Sequence, residues 1–312
     1  MPRSMLAIQQ EVFGGPEVLR LAERDRPELA GTEVLVRVHA AGVNPVDWKT
    51  RAGHGLLRSL PLTVGWDVSG VVEEIGLGVS RFTAGDEVFG MPWFPREAGA
   101  YAQYVAAPSR QFARKPAVLT HAEAAGLPLA GLTAWQVLVD AAAIQPGQRV
   151  LIAGAAGGVG HLAVQIAKAR GAYVIGTARA AKHDFVRALG ANEVIDYTTT
   201  DPASAAADLD VIFDPVGAEN GRHWLPVIKP GGMLIPFGDD DPALSGPAAS
   251  RGVRLAPVLV EPDGHGLEAL AGLAGTGQLR VEIETVLPLA QAAKAHEISE
   301  RGRTRGKIVL KV

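Results

Sequence analysis

"RVLIAGAAGGVGHLAVQIAKARGAYVIGTAR", running from Arg149 to Arg179, is the stretch that decides the fold. Its opening "RVLIAG" reads as an apolar strand that ends at Gly154. The turn "AAGGVG", Ala155 to Gly160, follows, then an amphipathic helix and a second strand, "YVIGTA". This is the order of a dinucleotide-binding βαβ unit. Gly157 lets the backbone approach a pyrophosphate, and Gly160 lets the helix lie close to the strand. Ala155 stands where the pattern has its first glycine, and Gly154 just before it supplies backbone freedom. Gly158 and Val159 lead into a helix N-terminus that offers N–H groups and a positive dipole end to phosphates. The competing reading is a glycine-rich βα turn that binds nothing.

The end of the stretch bears on which dinucleotide is bound. An NAD site carries Asp or Glu about twenty residues past the glycines, for the ribose hydroxyls. Here the second strand ends "VIGTAR", and no acid follows until Asp184. Thr177, Arg179, Lys182 and His183 gather there instead. A carboxylate repels a 2′-phosphate, whereas an Arg–Lys pair attracts it and can bind it in a fork. The expected cofactor is therefore NADPH. As ordinary surface cations, Arg179 and Lys182 would be poorly placed at a helix start.

Outward from this unit, strand and helix alternate to about Leu259. Candidate strands are "EVID", "DVIFDPVG", "GMLIPFG" and "VRLAPVLV"; candidate helices are "AKHDFVRALG" and "ENGRHWLPVIKPG". Such alternation implies a parallel sheet. The first third is instead strand-rich and punctuated by Gly and Pro, with "EVLVRV" alternating as a half-buried strand does. "THAEAAGLPLAGLTAWQVLVDAAAI" reads as one helix, with Thr120 as N-cap and Glu123 three residues on. "GDDDPALSGPAASRG" reads as a mobile loop. The last fifty or so residues return to the first texture, ending in the strand "RGKIVLKV". The class is α/β: a β-rich domain over 1–121, a doubly wound parallel-sheet domain over 122–260, and a return to the first domain over 261–312.

Composition narrows the function. The 312 residues are 47% hydrophobic and 20% charged with a net charge of −3, which gives no reason to expect a nucleic-acid or membrane surface. There is no cysteine, so disulfides, thiol nucleophiles and Cys-built zinc sites are excluded. No secretory h-region or membrane-length apolar run is present, so a cytoplasmic location is expected.

Seven segments taken together resemble the zinc-independent quinone oxidoreductase branch of the medium-chain dehydrogenase/reductase superfamily. They are "AAGVNPVDWKTRAG", "PLTVGWDVSGVVEEIG", "AGDEVFG", "GAYAQYV", "AGLTAW", "AGAAGGVG" and "RGKIVL", in the family's order and spacing. The resemblance implies a GroES-like catalytic domain, built from the N-terminal part and the tail, around an inserted Rossmann domain. Zinc-dependent relatives place a Cys in the segment matching "GVNPVD" and His-Glu in that matching "GWD". Here Asn44 stands near the first, Trp66 and Asp67 at the second, and no metal is expected. His39, His54 and the scattered acids lack ligand spacing.

By the same resemblance, Asn44 lies near the nicotinamide and could hydrogen-bond the substrate oxygen as negative charge builds there. Its other reading is a turn residue before Pro45 that caps the backbone. Tyr101 is a candidate proton donor to the substrate's α-carbon, with solvent as donor, or a structural role for the tyrosine, as the alternatives. Trp48 and Trp66 are candidates for the pocket wall or for the core. Thr133 matches a threonine near the nicotinamide amide, Tyr197 a tyrosine near the adenosine end. Val216, Phe237 and Gly238 end strands at the carboxyl edge where such sheets bind ligands. Arg303 is either cofactor-facing or part of an exposed basic turn. The expected activity is hydride transfer from NADPH to a small electrophile, a quinone or an enone. The alternatives are a cofactor-binding sensor without turnover and a stand-alone enoyl-thioester reductase. The apolar "VRLAPVLV" also allows a homodimer paired edge to edge.

Overall fold

The computed structural model describes residues 4–217, 221–236 and 242–312. They form two compact units. One runs up to Leu132 and resumes over Glu261–Gly277 and Val281–Val312; the other is Thr133–Val260 with Gln278–Arg280.

The first unit opens with β1 (Ser4–Gln9) and β2 (Arg20–Asp25), an antiparallel pair. Next come β3 (Glu33–Val43), helix α1 (Pro45–Arg51), β4 (Asp67–Ile75), β5 (Glu87–Gly90), β6 (Tyr104–Pro108) and β7 (Phe112–Arg114). The alternation read in "EVLVRV" places Val34, Val36 and Val38 in one core with Val88, Val105 and Phe112, while Arg37 is exposed. Burying such a side chain contributes roughly 1.5–3 kcal/mol each, so this strand anchors the unit.

The segment after Thr120 is not one helix. α2 (His121–Ala125) stops at Gly126, α3 (Pro128–Trp135) starts afresh, and Gln136–Ala141 continues as a π-helical turn. Pro128 explains the break: it has no N–H to bond backwards, and it disfavours helical backbone at Leu127 before it. The start follows the expected capping box. Thr120 Oγ1 accepts from Glu123 N at 3.2 Å, and Glu123 Oε2 accepts from Thr120 N at 2.8 Å. Thr120→Ala is expected to cost about 1 kcal/mol, read as a lowered urea midpoint at constant slope.

The second unit holds β8 (Arg149–Ile152), α4 (Gly160–Ala169), β9 (Tyr173–Thr177), α5 (His183–Ala188), β10 (Glu193–Ile195), α6 (Pro202–Ala205), β11 (Leu209–Asp214), α7 (Gly221–Trp224), β12 (Ile228–Pro236), α8 (Pro242–Ser250) and β13 (Arg254–Leu255). The strands form one parallel sheet in the order β10-β9-β8-β11-β12-β13. Leu151, Ile175, Ile212 and Leu234 are fully buried in it.

Three expectations for this region need correction. The segment expected as a mobile loop contains α8, which buries Leu244 and Ala248. Pro247 lies inside that helix and cannot donate to the Ala243 carbonyl; Arg222 Nη2 donates to that oxygen instead, at 2.8 Å. Of "ENGRHWLPVIKPG" the described residues are helical over Gly221–Trp224, a 3₁₀ turn follows, and "IKPG" already belongs to β12. "VRLAPVLV" pairs over Arg254–Leu255 alone, because Pro257 interrupts the strand.

The tail consists of α9 (Gly264–Gly275), β14 (Ile283–Pro288), α10 (Ala292–Glu300) and β15 (Lys307–Lys311). β15 pairs antiparallel with β3, so the tail completes the first unit's sheet, in the order β14-β15-β3-β4-β5-β7. Among the described residues no helix is long and apolar enough to cross a membrane.

Candidate functional site

In the parallel-sheet unit the glycine turn joins β8 to α4. Gly154 takes φ +60°, the left-handed region that glycine tolerates. Ala155, the departure from the pattern, is fully buried, and its N–H donates to Thr177 O at 2.9 Å. Its methyl fits because Gly176 on β9 has none: a Cβ there would come within 2.8 Å of Ala155 Cβ. Gly160 has no room for a side chain either, since a Cβ would strike the Gly154 carbonyl and sit 2.8 Å from Ala155 Cα. Gly157 N closes the turn onto Gly154 O at 2.9 Å. The N–H groups of Gly158, Val159 and Gly160 meet no backbone acceptor among the described residues. Such groups at a helix start bind anions.

Several predicted residues gather around this turn. Thr177 is buried, and its Oγ1 accepts from Gly154 N at 3.1 Å, so it holds the turn from below. Val216, 66% exposed, lies beside Gly154; a Cβ on that glycine would be 3.0 Å from its Cγ2. Arg179 is exposed and donates from Nε to Tyr197 Oη at 3.0 Å, which joins the ends of β9 and β10. Lys182 follows at the start of α5, half-buried.

Two acids complete the arrangement, and neither was singled out in the sequence. Asp196 accepts from Ala180 N at 3.0 Å, from Thr198 N at 2.9 Å and from the Thr198 hydroxyl at 2.6 Å. Those donors, the hydroxyl first, hold its carboxyl below the usual carboxylate range. Asp214 accepts from Val216 N at 3.0 Å and Trp224 Nε1 at 2.9 Å. Asp196 directly follows β10, in "VID", and Asp214 ends β11, in "IFD", which was the available signal. Phe237 and Gly238 lie outside the described residues. Thr133, in α3, is 1% exposed.

The β-rich unit holds a buried polar cluster. Asn44 caps α1 and is 2% exposed. Its N–H donates to Asp47 Oδ2 at 2.8 Å, and its Nδ2 donates to Asp67 Oδ2 at 2.8 Å. Its Oδ1 accepts from Lys307 Nζ, which also reaches Val43 O at 3.1 Å and lies 3.7 Å from Asp67 Oδ2. Asp67 Oδ1 accepts from Leu129 N at 2.7 Å. Tyr101 Oη donates to Asp47 Oδ2 at 2.8 Å and lies 3.2 Å from His296 Nε2. His296 Nδ1 is 3.3 Å from Arg51 Nη1, and Arg51 Nη2 pairs with Glu300 at 2.5 Å.

Burial dominates the ionisation of this cluster. It pushes Asp47 up to about 7 and raises Asp67, although the Lys307 ammonium pulls Asp67 back. It lowers Lys307, and with the Arg51 charge it lowers His296 to about 3, so His296 is neutral. Arg51 is matched by Glu300 and Lys307 by Asp67. Among the described residues Asp47 has no cation of its own within bonding distance, and its buried Oδ1 has no hydrogen-bond partner.

Asn44 therefore caps a helix, as one of its two readings expected, and its amide is held in a charged cluster. Tyr101, expected as a proton donor, is fully buried with its hydroxyl committed to Asp47. Trp66, expected at the pocket, is fully buried; its Nε1 donates to Arg96 O at 2.6 Å and its ring meets Phe94 edge-on. Trp48 is half-buried on α1, with Nε1 buried and unpartnered. Arg303 is exposed between α10 and β15. Asp47, Arg51, His296 and Lys307 had no counterpart among the predicted residues. Asp47 alone had a local signal, an acid three residues after a capping Asn. Among the described residues no three His, Cys, Asp or Glu side chains come together as a metal site needs.

Family models and relatives cover the chain. A GroES-like domain of alcohol dehydrogenases matches residues 30–117, and a zinc-binding dehydrogenase model matches 189–310. A pig quinone oxidoreductase is 36% identical over 98% of this chain and 97% of its own. A solved quinone oxidoreductase from Coxiella burnetii is 38% identical, with TM-score 0.93 and 99% of each chain covered. A quinone oxidoreductase from Escherichia coli, solved with NADPH, is 29% identical, with TM-score 0.89, covering 99% of this chain and 100% of that one.

Proposed function

Because the chain belongs to the quinone oxidoreductase-like branch of the medium-chain dehydrogenase/reductase superfamily, we propose that it reduces quinones or activated alkenes with NADPH and without a metal. The residues present fit that cofactor. In the turn at Gly154–Gly160 the N–H groups of Gly158, Val159 and Gly160 meet no backbone acceptor among the described residues, which leaves donors for a pyrophosphate. Arg179, oriented by Tyr197, stands where an NAD site has its ribose acid, with Lys182 beside it. When bound, NADPH would supply the hydride.

The protein's own part is binding and orientation. The N–H groups at the start of α4 take the phosphates, and Arg179 with Lys182 takes the 2′-phosphate. Asn44 donates to the substrate oxygen as it becomes negative. Tyr101 acts in the scaffold under Asn44, and solvent supplies the proton to the α-carbon. The partner is a small electrophile. A homodimer remains part of the proposal, with β13, the edge strand among the described residues, and exposed Leu259 as its face.

The observation that carries the cofactor choice is the exposed Arg179–Tyr197 pair at the end of β9. Arg179→Ala is expected to raise KM for NADPH by roughly 10- to 100-fold, the worth of a hydrogen bond to a charged group. KM for NADH should move less than about twofold. Equal effects on both, or none on NADPH, would remove Arg179 from the 2′-phosphate site.

A further inference from the structure

The side-chain amide of Asn44 has two ends, and the β-rich unit labels each with an opposite charge. Its Oδ1 faces the Lys307 ammonium, and its Nδ2 faces the Asp67 carboxylate at 2.8 Å. An ammonium can only donate and a carboxylate can only accept, so the amide has one orientation in which both contacts are bonds. The two charged groups are themselves fixed. Lys307 is 3% exposed and tied to Val43 O at 3.1 Å; Asp67 is 0% exposed and tied to Leu129 N at 2.7 Å. One bond consumes the amide oxygen and another consumes one of its two N–H groups. Among the described residues nothing accepts from the second N–H, so a single donor remains. Burying an ion pair is costly, and a well-packed apolar pair of similar volume is often as stable. The pair's contribution to a functional geometry accounts for its presence better than stability does.

We propose that Lys307 and Asp67 are positioning residues that lock the Asn44 amide, so that its one uncommitted N–H is the donor presented to the substrate oxygen. The proposal rests on the reading of Asn44 given above. Neither residue acts on substrate. Asp67 sets which end of the amide is the donor, and Lys307 favours the charged form of Asp67 against burial and holds the other end.

Asp67→Asn is the sharpest variant. It changes almost no volume but puts an amide where a pure acceptor stood, so the instruction to Asn44 is lost or reversed. Should that variant fail to fold, Lys307→Met combined with Asp67→Leu removes both charges and leaves no orphaned ion. The first readout needs neither cofactor nor turnover. The chain has three asparagines, Asn44, Asn192 and Asn220, so ¹⁵N-asparagine labelling resolves the Asn44 amide. The lock predicts one Asn44 side-chain proton shifted downfield and protected from solvent exchange, with the shift and protection lost in the variant. Two freely exchanging protons in the wild type would overturn the lock.

The second readout is kinetic. The variant is expected to lose about 10²-fold in kcat for quinone reduction, the scale of one oriented donor, with KM for NADPH within threefold. Adding Asn44→Ala should cost nothing further, whereas a merely structural role predicts additive losses. Full kcat in the variant, with an active wild type, overturns this proposal and leaves the functional reading standing. A wild type inactive toward quinones and enones overturns the reading and the positioning role with it.

Discussion

Gly160→Ala is expected to reduce NADPH affinity by at least about 100-fold, measured by quenching of tryptophan fluorescence or by calorimetry. The added methyl would strike the Gly154 carbonyl and lie 2.8 Å from Ala155 Cα, both backbone atoms that cannot rotate away. The start of α4 must then shift from the turn. The turn's donors act only at hydrogen-bond distance, so a shift of about an ångström removes several of them at once. Propensity pushes the other way: alanine is better than glycine in a helix by roughly 0.5–1 kcal/mol. A net loss therefore isolates the close approach. Unchanged affinity would mean that the turn does not hold the phosphates.

Asp47→Asn is expected to gain stability over the wild type as pH rises, by up to about 4 kcal/mol between pH 4 and pH 8. The carboxyl is fully buried, receives only the Asn44 N–H and the Tyr101 hydroxyl, and has an unpartnered Oδ1. Burial lifts it from 3.8 to about 7, and each unit is worth about 1.4 kcal/mol. The sign follows from proton counting. Between those values the folded state holds a proton that the unfolded state has released, so wild-type stability falls as pH rises through the window. Asparagine does not titrate and keeps both donors satisfied. His296 runs the opposite way, losing stability in acid because it is buried neutral, but it is common to both proteins and cancels in the difference. Parallel stability curves for the two proteins across this range would show that Asp47 is not the group that holds the proton.

The dinucleotide unit is legible in the sequence because its parts are local. Strand, turn, helix and second strand occupy consecutive positions, and each has its own period or turn chemistry. Even there, Ala155 is explained by Gly176 on the facing strand, a contact that no spacing rule encodes. The cluster under Asn44 is the opposite case. Asn44 and Lys307 are 263 positions apart and meet only because β15 pairs with β3. Tyr101 stays open between proton donor and structural residue because a tyrosine in "GAYAQYV" shows its chemistry in sequence but not its burial. Trp66 stays open between pocket wall and core for the same reason, and the structure buries it. α8 is hidden by Pro247, which cannot donate to the Ala243 carbonyl; Arg222, twenty-one residues from Ala243 in sequence, donates there instead.

The most direct test of the account follows NADPH absorbance with 9,10-phenanthrenequinone and with a simple enone, in the presence and absence of a chelator. Turnover with NADPH, a clear preference over NADH and no effect of the chelator are the predicted results. Tight NADPH binding without consumption across a broad set of electrophiles, or activity that the chelator abolishes and zinc restores, would contradict it.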